Sequence, residues 1–153
     1  MPEYEIIIET QGLNNLRDHI KKVYPHQDLF IITDENVYKL YHKDMVEALE
    51  GYHASYVVVK PGEHSKSVEV YHQVIDTLIE KGIKRNHLII AFGGGVVGDL
   101  AGYVAATLYR GISYIQVPAT LLAMVDSSIG SKVGIDLKQG KHLLGAFYPP
   151  KLT

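Results

Sequence analysis

The sequence of 153 residues predicts an α/β fold, a parallel sheet with helices on both faces. Three observations predict it. Short apolar runs alternate with longer amphipathic ones along the chain. The short runs are continuously apolar, as strands covered on both faces are. The stretch "LIIAFGGGVVGDLAGYVAATL", Leu88 to Leu108, then joins one such run to a helix, with Gly93, Gly95 and Gly98 spaced G-x-G-x-x-G.

The elements follow in order. "YEIIIE" (Tyr4 to Glu9) is short and β-branched and predicts a strand. "LNNLRDHIKKV" places Leu13, Leu16, Ile20 and Val23 on one helical face, stopped by Pro25. "LFIIT" (Leu29 to Thr33) predicts a buried strand and "VYKLYHKDMVEAL" a helix. "SYVVVK" (Ser55 to Lys60) is the next strand. Ser65 is a candidate cap for the helix "KSVEVYHQVIDTLIEK", closed by Gly82. "LIIAF" (Leu88 to Phe92), "VVGDLAGYVAATLY" and "SYIQV" (Ser113 to Val117) continue as strand, helix and strand. After Gly130 the chain is glycine-spotted, with lysines and no clear period. It ends three residues after Pro149-Pro150. An α/β enzyme rarely stops there, so the expectation is a piece of a longer protein.

Composition excludes several classes. Fifteen basic against 17 acidic residues leave a net charge of -2, no basis for nucleic acid or anionic membrane as main partner. There is no cysteine, hence no disulfide framework or thiolate metal site. The acidic N-terminus is unlike a signal peptide, and no apolar run is long enough to span a bilayer. A cytoplasmic location fits. The eight histidines contain no HExxH and no i, i+4 pair, so no metal ligand is assigned within the chain.

In an open α/β sheet, ligands bind beyond the carboxyl ends of the strands. "AFGGGVVGD" sits at such an end, where glycines admit a phosphate to the backbone and to a helix N-terminus. The ordinary dinucleotide fingerprint follows a first strand and has an acid about 20 residues on. Here it follows the fourth predicted strand, and Leu100 to Val125 contains no Asp or Glu. A phosphate cradle and tight packing both remain open for this stretch alone. Other strand ends also carry polar residues. Asp34 and Asn36 offer ribose or adenine-side hydrogen bonds, or a helix cap. In "PGEHSKS", Glu63 suits a ribose hydroxyl and Lys66 a phosphate; a turn plus cap is the plainer reading. Thr120 and Asp126 fall near the same rim. Four such ends on one edge point to a shared cleft. Lys132 and Lys141 suit phosphate or carboxylate, or are solvated lysines. Arg110 offers an anion contact or compensates a helix dipole.

"PGEHSK", "GGGVVGDLAGYVAATLYRG", "IQVPATLLAMVDSSIGSKVGID" and "GKHLLGAFYPP" together resemble the 3-dehydroquinate synthases, from about Tyr4 to the last residue. The block 118–136 is the most specific; the glycine block is shared with glycerol and iron-type alcohol dehydrogenases. The resemblance implies a Rossmann-like NAD-binding domain over residues 1–153. A helical domain would follow, with a glutamate and two histidines as ligands of zinc (or cobalt), outside this chain. It implies that Asp34 and Asn36 meet the adenosine side of NAD. Pro61, Gly62, Glu63, His64, Ser65 and Lys66 would lie along the cofactor, with Glu63 and Lys66 on ribose. Gly94, Gly95, Val96, Val97, Gly98 and Asp99 would surround the pyrophosphate and ribose. Ala119, Thr120, Leu122 and Asp126 would flank the nicotinamide half. Lys132 and Lys141 would line the junction with substrate, and Arg110 would reach the substrate phosphate across a homodimer. Three positions depart from the common pattern: Ala119 stands in place of threonine, Ser131 of glycine and His142 of asparagine.

The resemblance also implies the reaction. The sugar phosphate 3-deoxy-arabino-heptulosonate 7-phosphate loses phosphate and closes to 3-dehydroquinate on the shikimate route to aromatic amino acids. NAD would take and return a hydride, and the metal would polarise a hydroxyl. The alternatives are an aminocyclitol-type sugar-phosphate cyclase, a metal-dependent polyol dehydrogenase, which "VDSSIGSKVGID" argues against, or a catalytically silent NAD-binding module. Alone, the chain is expected to fold and to lack synthase turnover.

Overall fold

The apolar runs align as four parallel strands: β1 (Asp28–Asp34), β2 (His53–Val59), β3 (Leu88–Gly93) and β4 (Ser113–Pro118), in the order β2-β1-β3-β4. The structure is a computed structural model and describes residues 4–8, 12–119 and 131–153. Register brings the carboxyl ends level. Asp34 stands beside Val59, Thr33 beside Phe92 and Gly93 beside Pro118. The chain therefore leaves all four strands along one edge.

Helices cover both faces, as the continuously apolar strands require. Alternate residues of β1 divide between the layers. Leu29 and Ile31 pack with Leu16 and Ile20 of α1 (Leu16–Val23) and Met45 of α2 (Glu35–Ala48). Phe30 and Ile32 pack with Val74 and Leu78 of α3 (Val68–Glu80) and Leu100 and Val104 of α4 (Gly95–Thr107). Gly82 closes α3 as expected: its φ is 86°, its N–H donates to Ile79, and the N–H of Ile83 donates to Leu78. These are the two bonds of a Schellman stop. Among the described residues no helix is long and apolar enough to cross a membrane.

Three expectations are corrected. Ser65 does not cap α3; Ser67 does, accepting from the Val70 N–H at 3.2 Å. Ser65 instead sits in a 3-10 turn, Glu63–Ser65, and its hydroxyl donates to the Lys60 carbonyl. The N-terminal run forms no regular strand over residues 4–8. Glu5 makes a single parallel bridge to Leu152, which bridges Ile115 in turn. Main-chain bonds continue this contact, from the Ile7 N–H to the Thr153 carbonyl at 2.8 Å and from the Thr153 N–H to the Glu5 carbonyl at 3.1 Å. The tract after Gly130, read as aperiodic, holds an antiparallel hairpin of β5 (Lys132–Leu137) and β6 (Gly140–Phe147).

The hairpin lies across α4. Val133 and Ile135 point into the core, and Gly102 of α4 leaves the room that Val133 fills. This explains why α4 is apolar nearly all round: it is enclosed between sheet and hairpin. Gly134 and Gly145 face each other in the hairpin, and a Cβ on either would strike the opposite backbone. Those glycines take the places between the inward apolar residues, where a strand usually carries larger side chains.

Candidate functional site

The level strand ends form the site's rim. At the end of β1, Asp34 caps α2, its Oδ1 accepting from the Val37 N–H at 2.9 Å. The helix-cap reading is thus realised, with one carboxylate oxygen committed to it. Asn36, in the first turn of α2, is exposed.

At the end of β3 the chain passes through Gly93 and Gly94 into α4. Gly94 is extended and its carbonyl accepts the first helical bond, from the Gly98 N–H at 3.0 Å. The amides of the first turn, from Gly95 to Val97, precede that bond and have no intrahelical acceptor. They open towards the rim with the positive end of the helix dipole. Gly93 is fixed by packing: a Cβ there would lie 2.9 Å from the side chain of Val97. Val97 and Gly98 are themselves buried, so they shape the turn from beneath. Gly93 is thus held by tight packing, and Gly94 and Gly95 stand at the start of α4. The Gly93 carbonyl also accepts from the Ala119 N–H at 2.8 Å, which binds the end of β4 to the rim.

At the end of β2, Pro61 and Gly62 turn the chain, Gly62 having φ 108°. Glu63 and His64 follow on the 3-10 turn, and Lys66 comes next, only 7% exposed. Its ammonium donates to Asp99 Oδ2 at 2.8 Å and lies 3.7 Å from Glu63 Oε1. Burial is the largest single influence on Lys66 and pulls its pKa down. The hydrogen bond to Asp99 and the charges of Asp99, Glu63 and Asp136 together outweigh it, and the pKa stands raised. Lys66 is therefore a fixed cation beneath the rim.

The hairpin adds a second wall. Lys141 Nζ is 3.9 Å from Glu63 Oε1, so Glu63 lies between two ammonium groups. His142 beside it is exposed, at φ 61°. Lys132 is exposed at the other end of the hairpin, paired with Phe147, while Leu137 pairs with Gly140 next to the turn. Ser131, just before it, has φ 57°. An open groove of about 530 Å³ runs between the 3-10 turn, the start of α3 and the hairpin turn, lined by Glu63, Lys66, Ser67, Asp136 and Lys138. Asp136 was missed by sequence reading, although it stands in the quoted "KVGID".

Other expected residues fall elsewhere. Arg110 lies beyond the far end of α4, exposed at φ 64°, three residues before β4 begins. That is the amino edge of the sheet, opposite the rim, so one chain does not bring Arg110 to Lys66 or Lys141. Thr120, Leu122 and Asp126 lie outside the described residues. Among the described residues no group of three or more His, Asp or Glu side chains could hold a metal ion.

Residues 56–153 match the family described as 3-dehydroquinate synthase N-terminal. The chain is 47% identical to the 3-dehydroquinate synthase of Caldanaerobacter subterraneus subsp. tengcongensis, over 98% of this chain and 43% of that protein. It is 46% identical to that of Clostridium acetobutylicum, over 97% and 42%. The fold matches 2-deoxy-scyllo-inosose synthase solved with carbaglucose-6-phosphate, NAD+ and Co2+, with a TM-score of 0.86, 27% identity and cover of 97% and 40%. It also matches the 2-epi-5-epi-valiolone synthase of Streptomyces hygroscopicus subsp. jinggangensis with NAD+ and Zn2+ bound, with a TM-score of 0.85, 28% identity and cover of 100% and 42%. The chain spans less than half the length of the curated relatives it matches. With its glycine rim, its buried lysine and its match over residues 56–153, the chain belongs to the 3-dehydroquinate synthase N-terminal family.

Proposed function

We propose that this chain is the NAD-binding part of a 3-dehydroquinate synthase, a cytoplasmic phosphate-eliminating lyase acting on 3-deoxy-arabino-heptulosonate 7-phosphate. One observation carries the reading most: a glycine-bordered helix start, whose first amides precede the first intrahelical bond, on the same helix as Asp99, the partner of the buried Lys66. Those groups suit a pyrophosphate and an adjoining ribose. Bound there, the cofactor supplies a reversible hydride acceptor for the substrate's ring hydroxyl.

The chain's own residues bind and orient. The amides of Gly95 to Val97 face the pyrophosphate, and Lys66 offers a cation that does not have to be ordered on binding. Asp34 keeps one carboxylate oxygen for the adenosine side while the other caps α2. Lys141, His142 and Lys132 line the exposed wall where substrate carboxylate and phosphate would lie. Among the described residues no group of three or more metal-ligating side chains comes together; the zinc or cobalt ligands belong to the helical domain proposed to follow. Arg110 stands at the opposite edge, so its role towards the substrate phosphate requires a second copy, in keeping with a homodimer of the longer protein.

An aminocyclitol-type cyclase is the second reading. It is favoured by the solved cyclases that share the fold and by Ala119 and His142. The 47% identity over nearly the whole chain supports the synthase above it. Titration with NAD by calorimetry tests the site. Gly95→Val puts a branched side chain at the helix start and is expected to abolish binding while the protein stays folded. Lys132→Ala, further along the hairpin, is expected to change NAD binding less. Undiminished binding to Gly95→Val would refute the phosphate cradle.

A further inference from the structure

Asp136 lines the groove and has been given no role towards a ligand, yet it is tied to the site's central cation. Its main-chain N–H donates to the carbonyl of Lys66 at 2.7 Å, which staples β5 to the loop after β2. Its side-chain Oδ1 is buried and has no hydrogen-bond partner. Buried carboxylate oxygens normally have a donor, because water cannot reach them and leaving them unmatched is costly. Among the described residues the Lys66 ammonium, which shares the groove with Asp136 and feels its charge, has three N–H groups to offer. One is directed to Asp99 at 2.8 Å, and Glu63 at 3.7 Å is beyond hydrogen-bond length.

We propose that Asp136 is a positioning residue for Lys66: the ammonium sits on Asp99 in the free protein and moves onto the buried Asp136 oxygen when a bound dinucleotide engages Asp99. The proposal rests on the NAD reading given above. In that reading Asp99 is needed by the cofactor's ribose, and a nearly buried lysine cannot be left without a counter-charge. Glu63 is a poor substitute, since it is about half exposed and shared with Lys141. Asp136 stands on the hairpin, so the exchange would also fasten the hairpin to the loaded rim. The residue acts on the cofactor only through Lys66.

The test compares wild type, Asp136→Asn and Asp99→Asn, each confirmed folded by circular dichroism. NAD affinity is measured by calorimetry. Reductive methylation of Lys66, mapped by mass spectrometry with and without saturating NAD, reports how firmly the amine is held. Asp136→Asn is expected to methylate Lys66 like wild type when free, because Asp99 still holds it. With NAD bound it should react several-fold faster than wild type, and NAD should bind about tenfold more weakly, as for loss of one charge-assisted hydrogen bond. Asp99→Asn should speed methylation already in the free protein. If wild type and Asp136→Asn bind NAD equally and protect Lys66 equally, the proposal is overturned while the NAD site stands. If wild type binds no NAD, the dinucleotide reading itself falls. Should Asp136→Asn not fold, a crystal structure of the wild type with NAD decides: Lys66 Nζ within ~3.2 Å of Asp136 Oδ1 supports the exchange, and Nζ still on Asp99 refutes it.

Discussion

Replacing Lys66 with Met isolates the charge at the centre of the site. Methionine keeps most of the lysine's apolar stem, so the packing beneath the 3-10 turn changes little. What disappears is the ammonium that faces Asp99 at 2.8 Å and Glu63 at 3.7 Å. Removing one partner of a fully buried pair costs about 3–5 kcal/mol, mostly from the stranded opposite charge. Asp99 is 23% exposed and Glu63 47%, so solvent recovers part of that. We expect a loss of about 2 kcal/mol at neutral pH, or roughly 4–8 °C in Tm for a chain of this length. The pH dependence has a definite sign. The folded pKa of Lys66 is raised above its ordinary 10.5, so its contribution is fully present below that value. It is lost as pH rises through the folded pKa. Urea melts of both proteins, from neutral to alkaline pH, should show a constant gap that shrinks only above 10.5. A Met variant as stable as the wild type at neutral pH would refute the claim that this pair anchors the rim. So would a gap that closes well below that range.

Two further substitutions test the hairpin. Gly102→Ala would place a Cβ 3.0 Å from Val133 Cβ and 3.2 Å from the Tyr114 hydroxyl, with Val133 Cγ1 closer still. Urea unfolding should show a loss of ~1–3 kcal/mol, with faster proteolysis between β5 and β6 as the hairpin lifts from α4. Ser131→Gly should have the opposite sign: at φ 57° serine carries left-handed strain that glycine does not, and thermal melting should show a gain of roughly 1 kcal/mol.

The sheet was legible because each strand is a short apolar run between turn residues, and the four runs share one pattern. The hairpin was not. Its inner positions, Val133, Ile135, Leu144 and Ala146, do alternate, but Gly134 and Gly145 occupy the intervening places and a register shift follows Ile135. Those glycines answer to the opposite strand's backbone, a constraint visible only once the strands are paired. Ser65 failed as a cap for a similar reason: its hydroxyl is taken by Lys60, and Ser67 was available two residues on. At the candidate site, residue type and position at strand ends drew attention to Asp34, Glu63, Lys66 and the glycine block, whereas Asp99 entered only through the family resemblance. The partnerships among them were not readable, because Lys66 and Asp99 meet across 33 residues of sequence. Asp136 escaped notice because a buried carboxylate oxygen and a main-chain bond have no sequence signal. Arg110 marks the other limit. The family resemblance implies a substrate role for it, yet α4 carries the chain from the rim to the far edge before Arg110 is reached. A residue that belongs to the site by motif and to the opposite edge by topology can serve that site only from another copy of the chain. The proposed homodimer thus draws on the direction of α4 and not on composition.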